Sequence, residues 1–332
     1  MRRLVFVPIV LLTLLAFAAA CGGGDSATGT PTRTPTPTAT KHGSPTPAGS
    51  FTPGPTPAAS PTATTPISTD QPAFVTPTPT PTPPPPPDPN EQLYIALGDS
   101  LSYGNGASDR NVTAWVPLVK NGLGTGWTLS DLGVPGYTSG DLLQRGEMDQ
   151  AVAEINDRKT DGISGNEVGA ITLEIGGNDL LNLYTSIVLP GPCNATVEED
   201  LKIQLCVDSL RNALDGFTPN LEQAIDTLQQ NAPGVPIFLA TLYNPFSGAG
   251  NNIDAIGALA LEGQDGTEFP QGLNDSIRTV AQEKGVHLVD WYPLFVGKVN
   301  EYISHDLIHP NDTGQQVMAQ AMLQAMANAG LP

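Results

Sequence analysis

Leu93-Tyr94-Ile95-Ala96-Leu97-Gly98-Asp99-Ser100-Leu101-Ser102-Tyr103-Gly104 is the stretch that sets the fold. Its apolar residues run without alternation from Leu93 to Leu97 and stop at a glycine. An unbroken apolar run bounded by a turn signal reads as a strand buried on both faces. Working outward, the same pattern recurs at Trp127–Val134, ahead of Pro135-Gly136, and at Val168–Ile175, closed by Gly176-Gly177. Shorter runs at Val235–Leu242 and Val286–Val289 complete the set. Between them lie helical patterns at Ala114–Asn121, Met148–Asp157, Glu198–Gln230, Leu273–Lys284 and Asp312–Asn328. Gly216 and Pro219 predict a break inside the longest of these. Strands alternating with helices predict an α/β fold, a central parallel sheet with helices on both faces. Sites in such sheets sit at the carboxyl ends of strands, where the sharpest glycine clusters fall. Tyr184–Ser209 and Asn244–Gln271 read as long connections able to form a rim or lid, and no internal repeat is present.

Composition bounds the folded part. Of 33 prolines in 332 residues, 20 lie between Gly22 and Asn90, among only 11 apolar side chains. That stretch cannot bury enough surface to offset its ordering entropy, so 22–90 is expected to be a disordered Pro/Thr-rich linker. In extended polyproline II, at about 3.1 Å per residue, it reaches up to roughly 200 Å. Residues 91–332 remain as one catalytic-sized domain, with 10 Lys and Arg against 30 Asp and Glu. Such a surface repels nucleic acid and anionic lipid, and neither is expected as a partner. Ahead of the linker, Arg2 and Arg3 precede an apolar run from Leu4 to Ala20, the pattern of an export signal ending at residue 21. Ala18-Ala19-Ala20-Cys21 resembles the bacterial lipoprotein signal, in which the Cys is diacylated; that pattern prefers Leu where Ala18 stands. The expectation is an exported chain, held at the cell surface by a lipid on Cys21 or else secreted. Its membrane contact would be confined to that anchor. With Cys21 acylated, Cys193 and Cys206 form an even pair that outside the cytoplasm is expected to oxidise.

The chemistry gathers at the strand ends. Ser100, at a glycine-flanked turn after the first strand, is placed as a nucleophile with backbone N–H groups beside it. Taken alone, Gly98-Asp99-Ser100 fits a helix N-cap equally well. Gly136 follows the second strand, where a glycine lets backbone approach a ligand. Asn178, in Gly176-Gly177-Asn178-Asp179, carries an amide that can donate to an oxyanion, though Asn and Gly also suit a plain turn. Near the C-terminus, Asp306-Leu307-Ile308-His309-Pro310 sets a carboxylate three residues before an imidazole. A catalytic His needs such an acceptor to fix its tautomer.

In order and company these segments resemble the conserved blocks of the GDSL/SGNH hydrolases, serine esterases and lipases of three-layer, flavodoxin-like fold. The resemblance spans Glu91–Pro332 and rests on Gly98–Leu101, Gly136, Gly177-Asn178-Asp179 and Asp306–Pro310. It implies that Ser100 is the nucleophile, His309 the general base and Asp306 its partner. The oxyanion donors would be the N–H groups of Ser100 and Gly136 and the Asn178 amide. It implies cleavage of carboxylic esters through an acyl-enzyme, with no metal or organic cofactor. A small-molecule, lipid or carbohydrate ester would be the substrate of a monomeric enzyme. Ala240–Phe246 also looks like a loop of this family.

Other readings stand beside this one. His305, Asp306 and His309, with His287, suggest a metal-dependent hydrolase, but without the spacing of a zinc site. Glu174 with Asp179 offers a carboxylate pair of glycosidase type. A tethered surface-binding module on the same fold, with little activity, is a further reading. Asp99 is read as serving the turn. Tyr184, Ile187, Val188, Leu189 and Phe246 are candidates to line an acyl pocket or to pack on the domain.

Overall fold

The computed structural model of the chain describes residues 91–332. The export signal with Cys21 and the 22–90 linker lie outside the described residues. In chain order the elements are β1 (Gln92–Gly98), α1 (Ser100–Tyr103), α2 (Trp115–Leu123), β2 (Trp127–Gly133), α3 (Ser139–Gln144), α4 (Glu147–Thr160) and β3 (Val168–Glu174). Then come α5 (Gly177–Leu183), a π turn (Tyr184–Val188), α6 (Val197–Asp200), α7 (Gln204–Asn231), β4 (Ile237–Ala240), α8 (Asn252–Glu262) and α9 (Leu273–Lys284). The last are β5 (His287–Val289), α10 (Tyr292–Phe295), α11 (Val299–Tyr302) and α12 (Asp312–Asn328). None of the described helices is long and apolar enough to cross a membrane.

The sheet has five strands in the order β2-β1-β3-β4-β5, every neighbouring pair parallel. α2 and α12 pack together on one face, with α4, α7 and α9 on the other. This is the three-layer α/β arrangement with a flavodoxin-like strand order. β1 and β3 form its centre, and their unbroken apolar runs are buried on both sides. The chain order reverses between these two strands, which opens a crevice beyond their carboxyl ends. Trp115 of α2 meets Trp291 edge to face, with ring centroids 5.1 Å apart, and both are fully buried.

Two expectations about the elements need correction. α7 runs unbroken through Gly216 and Pro219. Its buried stripe of Val207, Phe217, Leu221, Ala224, Ile225 and Leu228 continues on both sides of the proline. Burying that stripe outweighs the helix penalty of about 3 kcal/mol for an internal proline. The break falls instead between α6 and α7. The connection 244–271 likewise contains α8, started by Asn251, whose side chain accepts from the Asp254 N–H.

Candidate active site

At the end of β1 the chain turns sharply into α1. Gly98 sits at φ +153°, and a Cβ there would run into the Glu174 carbonyl on β3. Asp99 then caps α1 by accepting from the Leu101 N–H at 3.0 Å, so the turn role expected of it holds. Ser100 becomes the first helical residue and its side chain emerges into the crevice.

Asp306 is the hub of a tight turn. One carboxylate oxygen accepts from Ser304 Oγ and from the N–H groups of Ile308 and His309, each at 2.9 Å. The other accepts from His309 Nδ1 at 2.6 Å. Leu307 reaches φ +67° to close this turn. His309 Nε2 lies 2.8 Å from Ser100 Oγ, so a continuous chain runs from Asp306 through His309 to Ser100. Burial alone would favour the neutral acid at Asp306. The bonds from His309 and Ile308 prevail and hold its carboxyl well below the usual carboxylate range.

Three residues outside the sequence-level assignments hold the pieces in register. Gln315, fully buried on α12, donates to the Asn105 carbonyl at 3.0 Å and accepts from the Trp115 N–H at 3.0 Å. Tyr243 donates to the Ile308 carbonyl at 2.8 Å and stacks on Phe295. Asp312 accepts from the N–H and hydroxyl of Ser108, fixing the loop after α1 against α12. Tyr243 stands in the loop after β4 and Asp312 in the Asn311–Gly314 stretch that caps the last helix; no local signal marks Gln315.

Asn178 is the second residue of α5, which Gly176 caps at φ +116° with Phe217 2.7 Å from where a Cβ would stand. The Asn178 amide donates to the Tyr137 carbonyl at 2.9 Å and, more loosely, to Asp99 Oδ2 at 3.3 Å. Gly136 lies exposed in the loop after β2, at φ +86°. Asp179 turns away and accepts from the Ser139 N–H and hydroxyl at 2.9 and 2.7 Å, pinning the start of α3 to α5.

The crevice beside Ser100 and His309 is an apolar cavity of about 120 Å³. Leu180, Leu181, Tyr184, Leu242, Phe246 and Leu261 are among its apolar lining. Tyr184 and Phe246 meet at its rim with ring centroids 5.1 Å apart. Val188 and Ile187 instead pack against Cys193 and Cys206, which are joined by a disulfide behind the π turn.

The competing constellations do not assemble. Glu174 is fully buried and Asp179 is engaged with Ser139, so this pair does not face the cavity as a glycosidase pair would. His305 is exposed beside the turn, and His287 is exposed on β5 with its ring stacked on Phe238. Among the described residues no three His, Cys, Asp or Glu side chains gather as a metal site.

The chain is similar to several known proteins. The chain is 23% identical over 240 residues to the uncharacterized protein YpmR of Bacillus subtilis (strain 168), covering 71% of this chain and 82% of that one. The lipase Lip_vut3 from a goat rumen metagenome shares the fold at 20% identity and a TM-score of 0.50, over 70% of this chain and 97% of its own. The acetylxylan esterase Axe2 of Geobacillus stearothermophilus is similar at 17% identity and a TM-score of 0.46, over 71% and 94% of the two chains. The profile of one family, GDSL-like lipases and acylhydrolases, matches residues 96–317 and so takes in every strand end described above. By that match the chain belongs to the GDSL-like lipase/acylhydrolase family.

Proposed function

We propose that this carboxylic ester hydrolase works through an acyl-serine intermediate on Ser100. The observation that carries the reading is the Asp306–His309–Ser100 chain, with contacts of 2.6 and 2.8 Å. A serine hydroxyl is too weakly acidic to attack unaided at neutral pH. His309 takes its proton as Ser100 Oγ bonds to the ester carbonyl carbon. Asp306 keeps Nδ1 of His309 protonated, leaves Nε2 free to accept, and offsets the imidazolium charge. The tetrahedral oxyanion is received by the N–H groups of Ser100 and Gly136 and by the Asn178 amide, whose looser bond to Asp99 can be exchanged for it. His309 then returns the proton to the leaving alcohol. Water, activated by the same imidazole, releases the acid. Every step is completed by these side chains, the two backbone N–H groups and water.

The apolar lining of the cavity favours an ester with an apolar group beside the carbonyl, from a small molecule, a lipid or a carbohydrate. The sequence before residue 91 supports export, with Cys21 as a lipid anchor and 22–90 as a tether that lets a monomeric domain work away from the membrane. Fluorophosphonate labelling of purified protein tests the core of the reading. Wild type should be labelled and Ser100→Ala should be neither labelled nor active while staying folded. Undiminished ester turnover by Ser100→Ala would overturn it.

A further inference from the structure

Glu174 is a buried acid that the mechanism leaves unused. Glu174 ends β3 and is paired laterally with Gly98 of β1, so its side chain lies under the turn that carries Asp99 and Ser100. It is fully buried, and neither carboxyl oxygen has a well-formed hydrogen bond among the described residues, although the backbone N–H groups of Asp99 and Ser102 lie close to it. Asp99, 1% exposed, lies in contact with it. Two ionised carboxylates have only acceptors and cannot bond to each other. Two negative charges in contact, both out of water, would be strongly unfavourable. One proton held between them removes both problems, giving Glu174 a hydrogen bond and Asp99 a donor.

We propose that Glu174 is a positioning residue, protonated at working pH, that donates to Asp99 and thereby keeps the Asp99 carboxylate aimed at the Asn178 amide. The links are direct: Asp99 accepts from the Leu101 N–H at 3.0 Å through one oxygen and from Asn178 at 3.3 Å through the other. Leu101 follows the nucleophile, and the Asn178 amide is the oxyanion donor of the proposed mechanism, on which this inference rests. Burial, and next the charge of Asp99, push the Glu174 carboxyl well above its usual value. Burial likewise raises Asp99, to about 6. The other titratable groups facing the pair are His309, Asp179, Glu147 and Tyr243. Of these, only His309 brings a positive charge, and it does so when it becomes an imidazolium. The pair then keeps a single negative charge behind the site, enough to favour the imidazolium without opposing the oxyanion doubly.

Infrared difference spectroscopy of wild type against Glu174→Gln reads the proton directly. At pH 7 wild type should show a protonated-carboxyl C=O band that Glu174→Gln loses. Because the Gln amide also donates, Glu174→Gln should keep ester turnover within about threefold of wild type. Glu174→Leu has no donor and should lose about 10- to 100-fold in kcat with KM little changed, the scale of a lost partner behind a functional group. A missing band difference would show Glu174 ionised and overturn the proposal, as would a folded Glu174→Leu with full kcat. If no variant, wild type included, cleaves any ester, the mechanism fails while the infrared result still judges the shared proton.

Discussion

Glu147→Gln should make the fold markedly more resistant to alkali. Glu147 is the first residue of α4, is 6% exposed, and has no hydrogen-bond partner for either carboxyl oxygen among the described residues. Burial first, and then the charges of Asp141 and Asp99, push its carboxyl from 4.5 up to about 8. The α4 dipole favours a negative charge at that end, but by less than burial opposes it. In the unfolded chain the group ionises near 4.5, and in the fold near 8. Between those values the unfolded state holds fewer protons, so stability falls as pH rises. The slope is about 1.4 kcal/mol per pH unit, which sums to about 3 kcal/mol by pH 7 and an upper limit of about 5 kcal/mol above pH 8. Gln keeps the shape and cannot ionise, so the two proteins should unfold alike near pH 4. Urea unfolding of both from pH 4 to 9 reads the difference. The stability gap should widen from about pH 4.5 and level off above about pH 8. A gap that stays constant across the range would refute the argument that Glu147 is held neutral by burial.

Asp306→Asn should lower kcat by ~10⁴, the loss seen where a catalytic His loses its anchoring carboxylate, while His305→Ala leaves steady-state ester kinetics unchanged. Leu307→Gly should raise stability by about 0.5–1 kcal/mol in chemical denaturation, because relief of the left-handed conformation exceeds the entropy glycine adds to the unfolded chain. Replacing Cys193 and Cys206 together by Ser should lower stability by about 3 kcal/mol, from a short closed loop. That same change should raise KM more than it lowers kcat, since the disulfide backs the Tyr184 side of the rim rather than Ser100.

What the sequence disclosed follows from how local each signal is. β1 and β3 were legible because an unbroken apolar run stopping at glycine has few other meanings. The bounds of α9 and α12 matched because their ends carry their own signals: Gly285 in the left-handed region closes α9, and Asn311 caps α12. The break expected in α7 failed because Gly216 and Pro219 are local signals, whereas the stripe that holds the helix together is a tertiary one. α5 was hidden because Gly176-Gly177-Asn178 reads as a turn, and the helix begins within it. At the candidate site, Ser100, Asn178, Asp306 and His309 could be singled out because each has chemistry of its own, and the structure brings Asp306, His309 and Ser100 into one chain of contacts. Tyr243 and Gln315 act only through contacts 65 and 210 residues away in sequence, so neither spacing nor composition betrays them.

That difference in range also says how the site is assembled. Asp306 and His309 are three residues apart, and their turn orients the imidazole through bonds made within that segment. This half of the proposed triad is thus arranged locally. The contact from His309 to Ser100 spans 209 residues and has no local support. It depends on α12 lying against α2, where Gln315 ties Asn105 and Trp115 to the segment that follows His309. Gly106 lets the loop after α1 close on that segment, since a Cβ there would press on His309 and Pro310. Displacing α12 would therefore separate His309 from Ser100 while leaving Asp306 and His309 paired, so in the proposed mechanism the docking of that last helix sets the activation of Ser100.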